Sequence, residues 1–105
     1  MEYVLILSTV SKIEDAQTIA NHLVSNRMAA CVNFIPNLES VYKWKNQVCK
    51  ENEFLLMIKT TANKETNVYD SLSEIHPYDT PEIITLPIQN GSKDYLDWIS
   101  ESVES

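Results

Sequence analysis

Three segments of this 105-residue chain are apolar at consecutive rather than alternate positions: Val4-Leu5-Ile6-Leu7, Leu55-Leu56-Met57-Ile58 and Ile83-Ile84. Each lies in a run rich in branched side chains that reads as a β-strand. Successive side chains on a strand point to opposite faces of its sheet, so a sheet built from these segments is apolar on both sides. One layer of helices covers one side only. An uncovered apolar face of that kind marks a partner surface, and closed association with copies of the same chain is the simplest cover.

The remaining elements follow from periodicity and punctuation. Tyr3–Leu7 is a first strand, and Ser11-Lys12-Ile13-Glu14 spells a capping box. Ala16, Ile19, Ala20, Leu23 and Val24 then recur at helical spacing, so a helix runs to about Asn26. Met28 to Ile35 is a second strand, interrupted by Pro36-Asn37 and resumed by Val41-Tyr42-Lys43-Trp44. Lys45-Asn46-Gln47 is a hairpin turn, since asparagine tolerates the positive φ such turns need. The return strand extends through Ile58, and a second helix from about Asn63 to His76 carries Val68, Leu72 and Ile75 on one stripe. Ile83 to Ile88 is the last strand, and a helix after Gly91 places Tyr95, Trp98 and Ile99 on one face. The expected fold is therefore α+β, a single domain over residues 1–105. Its order β-α-β-β-α-β plus a C-terminal helix is the ferredoxin-like arrangement, with an antiparallel sheet.

Composition removes several function classes. There are 15 acidic and 8 basic residues, a formal net charge of −7, which argues against nucleic acid and anionic membrane as partners. No apolar run is long enough for a membrane span, and Met1-Glu2-Tyr3-Val4 lacks the basic start of a signal peptide. Cys31 and Cys49 are too few for a disulfide framework and sit in apparent strands, so free thiols in a reducing cytoplasm are expected. With Gly91 as the single glycine, neither a phosphate-binding loop nor a dinucleotide fingerprint can be written.

Polar chemistry concentrates in His76-Pro77-Tyr78-Asp79-Thr80-Pro81-Glu82. Two prolines stiffen this loop and push His76 and Thr80 toward extended backbone. It thus holds an imidazole, a phenol and carboxylates on a rigid connection, the usual way to present a site. The structural alternative is that His76 caps the preceding helix.

Several of these residues fall into a recognisable series: Met28-Ala29-Ala30-Cys31-Val32-Asn33-Phe34-Ile35-Pro36, Ser40-Val41-Tyr42-Lys43-Trp44, Leu55 to Thr60, His76-Pro77-Tyr78, Pro81-Glu82-Ile83, and Gly91 with Tyr95-Leu96-Asp97-Trp98-Ile99. In this order, over essentially the whole chain, they resemble the CutA divalent-cation tolerance family. The resemblance implies a ferredoxin-like protomer in a homotrimer, similar in architecture to the PII signalling proteins. It also implies a role in copper and other divalent-cation tolerance. Two departures stand out. The family's hairpin usually carries glycine where this chain has Asn46. Members credited with copper binding have a cysteine at the end of the first strand and a His-His pair before the proline. This chain has Ser8 and Ile75 there, and only His76 remains.

His76 is the candidate metal ligand, for copper or another divalent cation, with no cofactor required. His22 lies on the solvent side of the first helix, and Cys31 is a thiolate ligand or a buried apolar filler. Lys59 closes a buried strand, where it holds an anion or snorkels to solvent. Asn33, in an otherwise apolar strand, lines a pocket or is structural. Tyr42 and Trp44 alternate to one side of the hairpin arm, against a neighbouring subunit or a ligand. Glu82 pairs with Lys59 or faces a cation. The expected ligand-binding set is Asn33, Trp44, Lys59, Tyr78 and Glu82. Two functional classes follow: a trimer binding a divalent cation or small molecule at clefts between subunits, and an enzyme using His76, Tyr78 and Glu82 around a pocket anchored by Lys59.

Overall fold

The computed structural model describes residues 2–104; Met1, the first residue of the non-basic start noted above, and Ser105 lie outside the described residues. The strands β1 (Tyr3–Val10), β2 (Cys31–Trp44), β3 (Gln47–Thr61) and β4 (Ile84–Ile88) form one antiparallel sheet in the order β2-β3-β1-β4. With the helices α1 (Ile13–Ser25), α2 (Glu65–Ile75) and α3 (Lys93–Val103), this is the ferredoxin-like order with a C-terminal helix.

Register fixes which side chains share a face. Ile6, opposite Ile58, and Ser8, opposite Leu56, point into the main core with Val4 and Val10. Ala16, Ile19 and Leu23 of α1, and Val68 and Leu72 of α2, close that core from one side. The other face carries Leu5, Leu7, Leu55 and Met57, all half-buried, with Ile35, Ile84 and Leu86 exposed. Only α3 reaches it, where Ile99 and Val103 pack with Ala30, Tyr3 and Leu96 and the Tyr3 hydroxyl meets Ser100 at 2.7 Å. Consecutive apolar residues thus produce the two-faced sheet that the sequence requires.

Local details depart from expectation in six places. The capping box does not form: the N-cap of α1 is Lys12, with no side-chain cap. Pro36-Asn37 does not break β2 but makes a bulge between Ile35 and Leu38, with Asn37 at φ 65°. The strand itself begins at Cys31, later than Met28, because residues 26–30 cap α1. Arg27 turns left-handed at φ 57°, and the Met28 and Arg27 amides donate to the carbonyls of Leu23 and Val24 in a Schellman motif. The second helix opens with a 3₁₀ turn over Ala62–Lys64, and β4 starts at Ile84. On α3, Ile99 is buried, but Tyr95 and Trp98 are exposed and lie against each other at 5.4 Å.

The hairpin turn is Lys45-Asn46, with φ of 51° and 64°, the pattern of a type I′ turn in which both central residues are left-handed. Beyond Glu53, β3 pairs with β2 alone, so residues 38–53 project as a two-stranded arm. Val41, Tyr42, Trp44 and Val48 are all exposed on it. An isolated apolar ribbon of this kind is marginal in water.

Candidate functional site

A cleft of about 710 Å³ lies between the base of the arm and the proline-rich loop. The arm contributes Ser40, Val41, Tyr42, Trp44, Glu51 and Glu53, and Thr9 lies at the end of β1. Register places Ser40 opposite Glu51 and Leu38 opposite Glu53, so the acidic residues of β3 and the aromatic residues of β2 alternate onto one surface. The opposite wall is Tyr78, Asp79, Thr80 and Glu82.

His76 starts that wall. It is the C-cap of α2 and 8% exposed. Its backbone amide donates to the Leu72 carbonyl at 2.9 Å. The ring Nε2 lies 2.9 Å from the Thr9 carbonyl, so it carries the proton and donates. Nδ1 then accepts from the Tyr78 amide at 3.1 Å. Burial holds the imidazole below its usual pKa, opposed by the Thr9 hydrogen bond and the negative charges of Asp15 and Glu53. His76 is thus the neutral pin that fixes the loop to β1, and binding a metal through Nδ1 requires releasing the Tyr78 amide.

The pinned loop delivers the Tyr78 ring to the floor of the cleft, edge-on to His76 at 4.8 Å. Its hydroxyl donates to Glu53 Oε2 at 2.7 Å and lies 3.3 Å from Glu51 Oε1. Burial raises the Tyr78 phenol well above its usual range; the Ser11 hydroxyl opposes that shift, and the hydrogen bond and charge of Glu53, with the charge of Glu51, add to it. The phenol is a fixed donor.

Trp44, Tyr78 and Glu82 therefore meet in one cleft with His76 behind them, while Asn33 and Lys59 do not line it. Lys59 lies six residues along β3 from Glu53, roughly 20 Å at strand spacing, and its Nζ donates to the Tyr95 hydroxyl at 3.3 Å. It forms no pair with Glu82: among the described residues the only ion pair is Lys93–Asp97 on α3. Asn33 is exposed on β2 and accepts from the Cys31 thiol at 3.7 Å. Cys31 is half-buried on the second face rather than a filler of the main core. The sequence reading missed Glu51 and Glu53. Their alternation on β3, one residue apart and opposite Ser40 and Leu38, was the available signal.

Among the described residues no group of three or more His, Cys, Asp or Glu side chains converges to hold a metal ion. Ser8, near the end of β1, is fully buried, and among the described residues its hydroxyl has no hydrogen-bond partner.

A family model described as CutA1 divalent ion tolerance protein matches residues 4–102. The Divalent-cation tolerance protein CutA of Thermus thermophilus is 44% identical over 98 residues, covering 93% of this chain and 95% of that protein. A solved structure of a Thermus thermophilus divalent cation tolerance protein superposes with a TM-score of 0.94 at 42% identity, over 97% of this chain and 99% of that one. CutA from Xylella fastidiosa superposes at 0.96 with 34% identity, over 99% and 100% of the two chains.

Proposed function

This chain belongs to the CutA1 divalent ion tolerance protein family, and on that premise we propose that it acts as a homotrimeric binding protein in divalent-cation tolerance, its ligand site being the cleft between arm and proline-rich loop. The observation that carries the reading is the apolar sheet face left open by α3, together with the exposed apolar arm. Burying Ile35, Ile84 and Leu86 against copies of the same chain removes that face from water. The arm that would cross to a neighbour is also one wall of the cleft, so assembly and ligand site are linked.

The ligand is a divalent cation such as copper, or a small molecule. Within one protomer the donor set does not fit a closed metal centre, because His76 spends both ring nitrogens on the fold and, among the described residues, no group of three His, Cys, Asp or Glu side chains converges. Metal held through His76 must therefore draw further ligands from other copies or from water, which implies weak affinity. An acid–base enzyme is the poorer reading, since Lys59 lies at the other end of β3 from His76, Tyr78 and Glu82. The free thiols Cys31 and Cys49 support a reducing, cytoplasmic setting.

Light scattering on tag-free protein tests the assembly: the mass should be about three times the 12.0 kDa protomer. Leu86→Glu, on the open face, should lower it. A folded wild-type monomer at micromolar concentration would refute the trimer. Calorimetric titration with copper should give micromolar or weaker binding, about −8 kcal/mol or less favourable. His76→Ala should remove most of it; nanomolar binding that survives the substitution would refute the assignment.

A further inference from the structure

Glu53 is 6% exposed, yet among the described residues no cationic side chain pairs with it. Its Oε2 accepts from the neutral Tyr78 phenol, while no described residue donates to Oε1. Among the described residues no lysine, arginine or histidine lines the cleft, whereas Glu51, Asp79 and Glu82 bring three more carboxylates to it. Burying a carboxylate without a counter-charge is costly, and a cation from outside the protomer offsets that cost. The rest of the cleft says what kind of cation. Metal-type ligand spacing is absent among the described residues. Tyr42 and Trp44 instead offer exposed aromatic surface beside the carboxylates. Aromatic faces attract ammonium groups and cover apolar carbon, but they offer a hydrated metal ion no ligand. A volume of about 710 Å³ is that of a small-molecule site.

We propose that the cleft binds a small organic ammonium ion, its charged head at Glu53 Oε1 and its carbon body against Tyr42 and Trp44. The inference rests on the reading of this cleft as the ligand site and narrows the ligand to one chemical class. Tyr78 sets the geometry: by occupying Oε2 it leaves Oε1 as the acceptor facing the cleft. Glu51 and Glu82 add negative potential at the rim.

Benzylamine is the probe and benzyl alcohol its neutral counterpart. Both are titrated calorimetrically into the full chain, with the mass followed by light scattering in the same buffer. Benzylamine should bind, and benzyl alcohol should bind at least about tenfold more weakly. Glu53→Gln and Trp44→Leu should each weaken benzylamine by a similar factor, and added salt should weaken it further. Glu53→Gln keeps a carbonyl for the Tyr78 hydroxyl; if it nevertheless unfolds, the exposed positions Trp44→Leu and Glu82→Gln carry the test. Equal affinity for the alcohol, or affinity indifferent to these substitutions, overturns the proposal. So does a cleft that accepts benzylamine only after Lys43→Ala and Lys45→Ala, which would identify a lysine of a second copy as the resident cation. An intact trimer that binds no amine sinks this inference alone, and a monomer that binds benzylamine sinks only the assembly.

Discussion

Ser8→Ala should stabilise this protein, although it removes atoms from the core. Ser8 is fully buried between Ile6 and Val10 on β1, opposite Leu56, and its hydroxyl has no hydrogen-bond partner among the described residues. A buried donor left unpaired costs about 1–3 kcal/mol. Trimming the oxygen opens a void of roughly 10 Å³, worth only ~0.2 kcal/mol at ~24 cal/mol per Å³. The balance is a gain of about 1–3 kcal/mol. Thr60→Val is the control. That hydroxyl is equally buried but donates to the Met28 carbonyl at 2.6 Å. Its isosteric removal keeps the packing and orphans the carbonyl, so it should cost about 1 kcal/mol or more. Urea denaturation at one fixed protein concentration reads both, because any assembly makes stability depend on concentration. The midpoints should move in opposite directions at unchanged slope. If Ser8→Ala destabilises as Thr60→Val does, the Ser8 hydroxyl has a partner, such as a buried water, and the reasoning fails.

Three further outcomes follow from the geometry. At the type I′ turn, Asn46→Gly should be neutral or mildly stabilising and Asn46→Val should cost roughly 1 kcal/mol or more; equal urea midpoints would show that φ at this residue is not positive in solution. Tyr78→Phe leaves the buried Glu53 carboxylate without its donor and should cost about 1.5–3 kcal/mol, a loss that Glu53→Gln in the same chain should partly reverse. The folded-state pKa of His76 lies below its unfolded value of 6.5, so its contribution to stability is present above pH 6.5 and is lost as pH falls through the depressed folded-state value. Unfolding measured across that acid limb should be flatter in His76→Gln than in wild type, and parallel curves would assign the limb to carboxylates.

Several features were decided by the sequence alone. Consecutive apolar residues at Val4–Leu7 and Leu55–Ile58 force a sheet with two apolar faces, because side chains alternate along a strand whatever the rest of the chain does. Asn46 and the two prolines act through local φ preferences, so the turn and the stiff loop are equally readable. The cleft is a different matter. Glu51 and Glu53 look like the solvent-facing half of an alternating arm. Tyr78 turns them into a site from 25 positions away, after α2 has folded back and His76 has been pinned to Thr9. Lys59 and Asn33 show the converse. Both lie in motifs that suggest a ligand, yet strand spacing carries Lys59 to Tyr95, away from the cleft, and register sets Asn33 opposite Met57 on the open face. The capping box did not form either, because α1 starts after Lys12 and carries no side-chain cap. Periodicity and local φ preference are properties of neighbours in sequence, whereas the partner of a buried carboxylate or a serine hydroxyl is set by which distant residue the topology brings within hydrogen-bond reach.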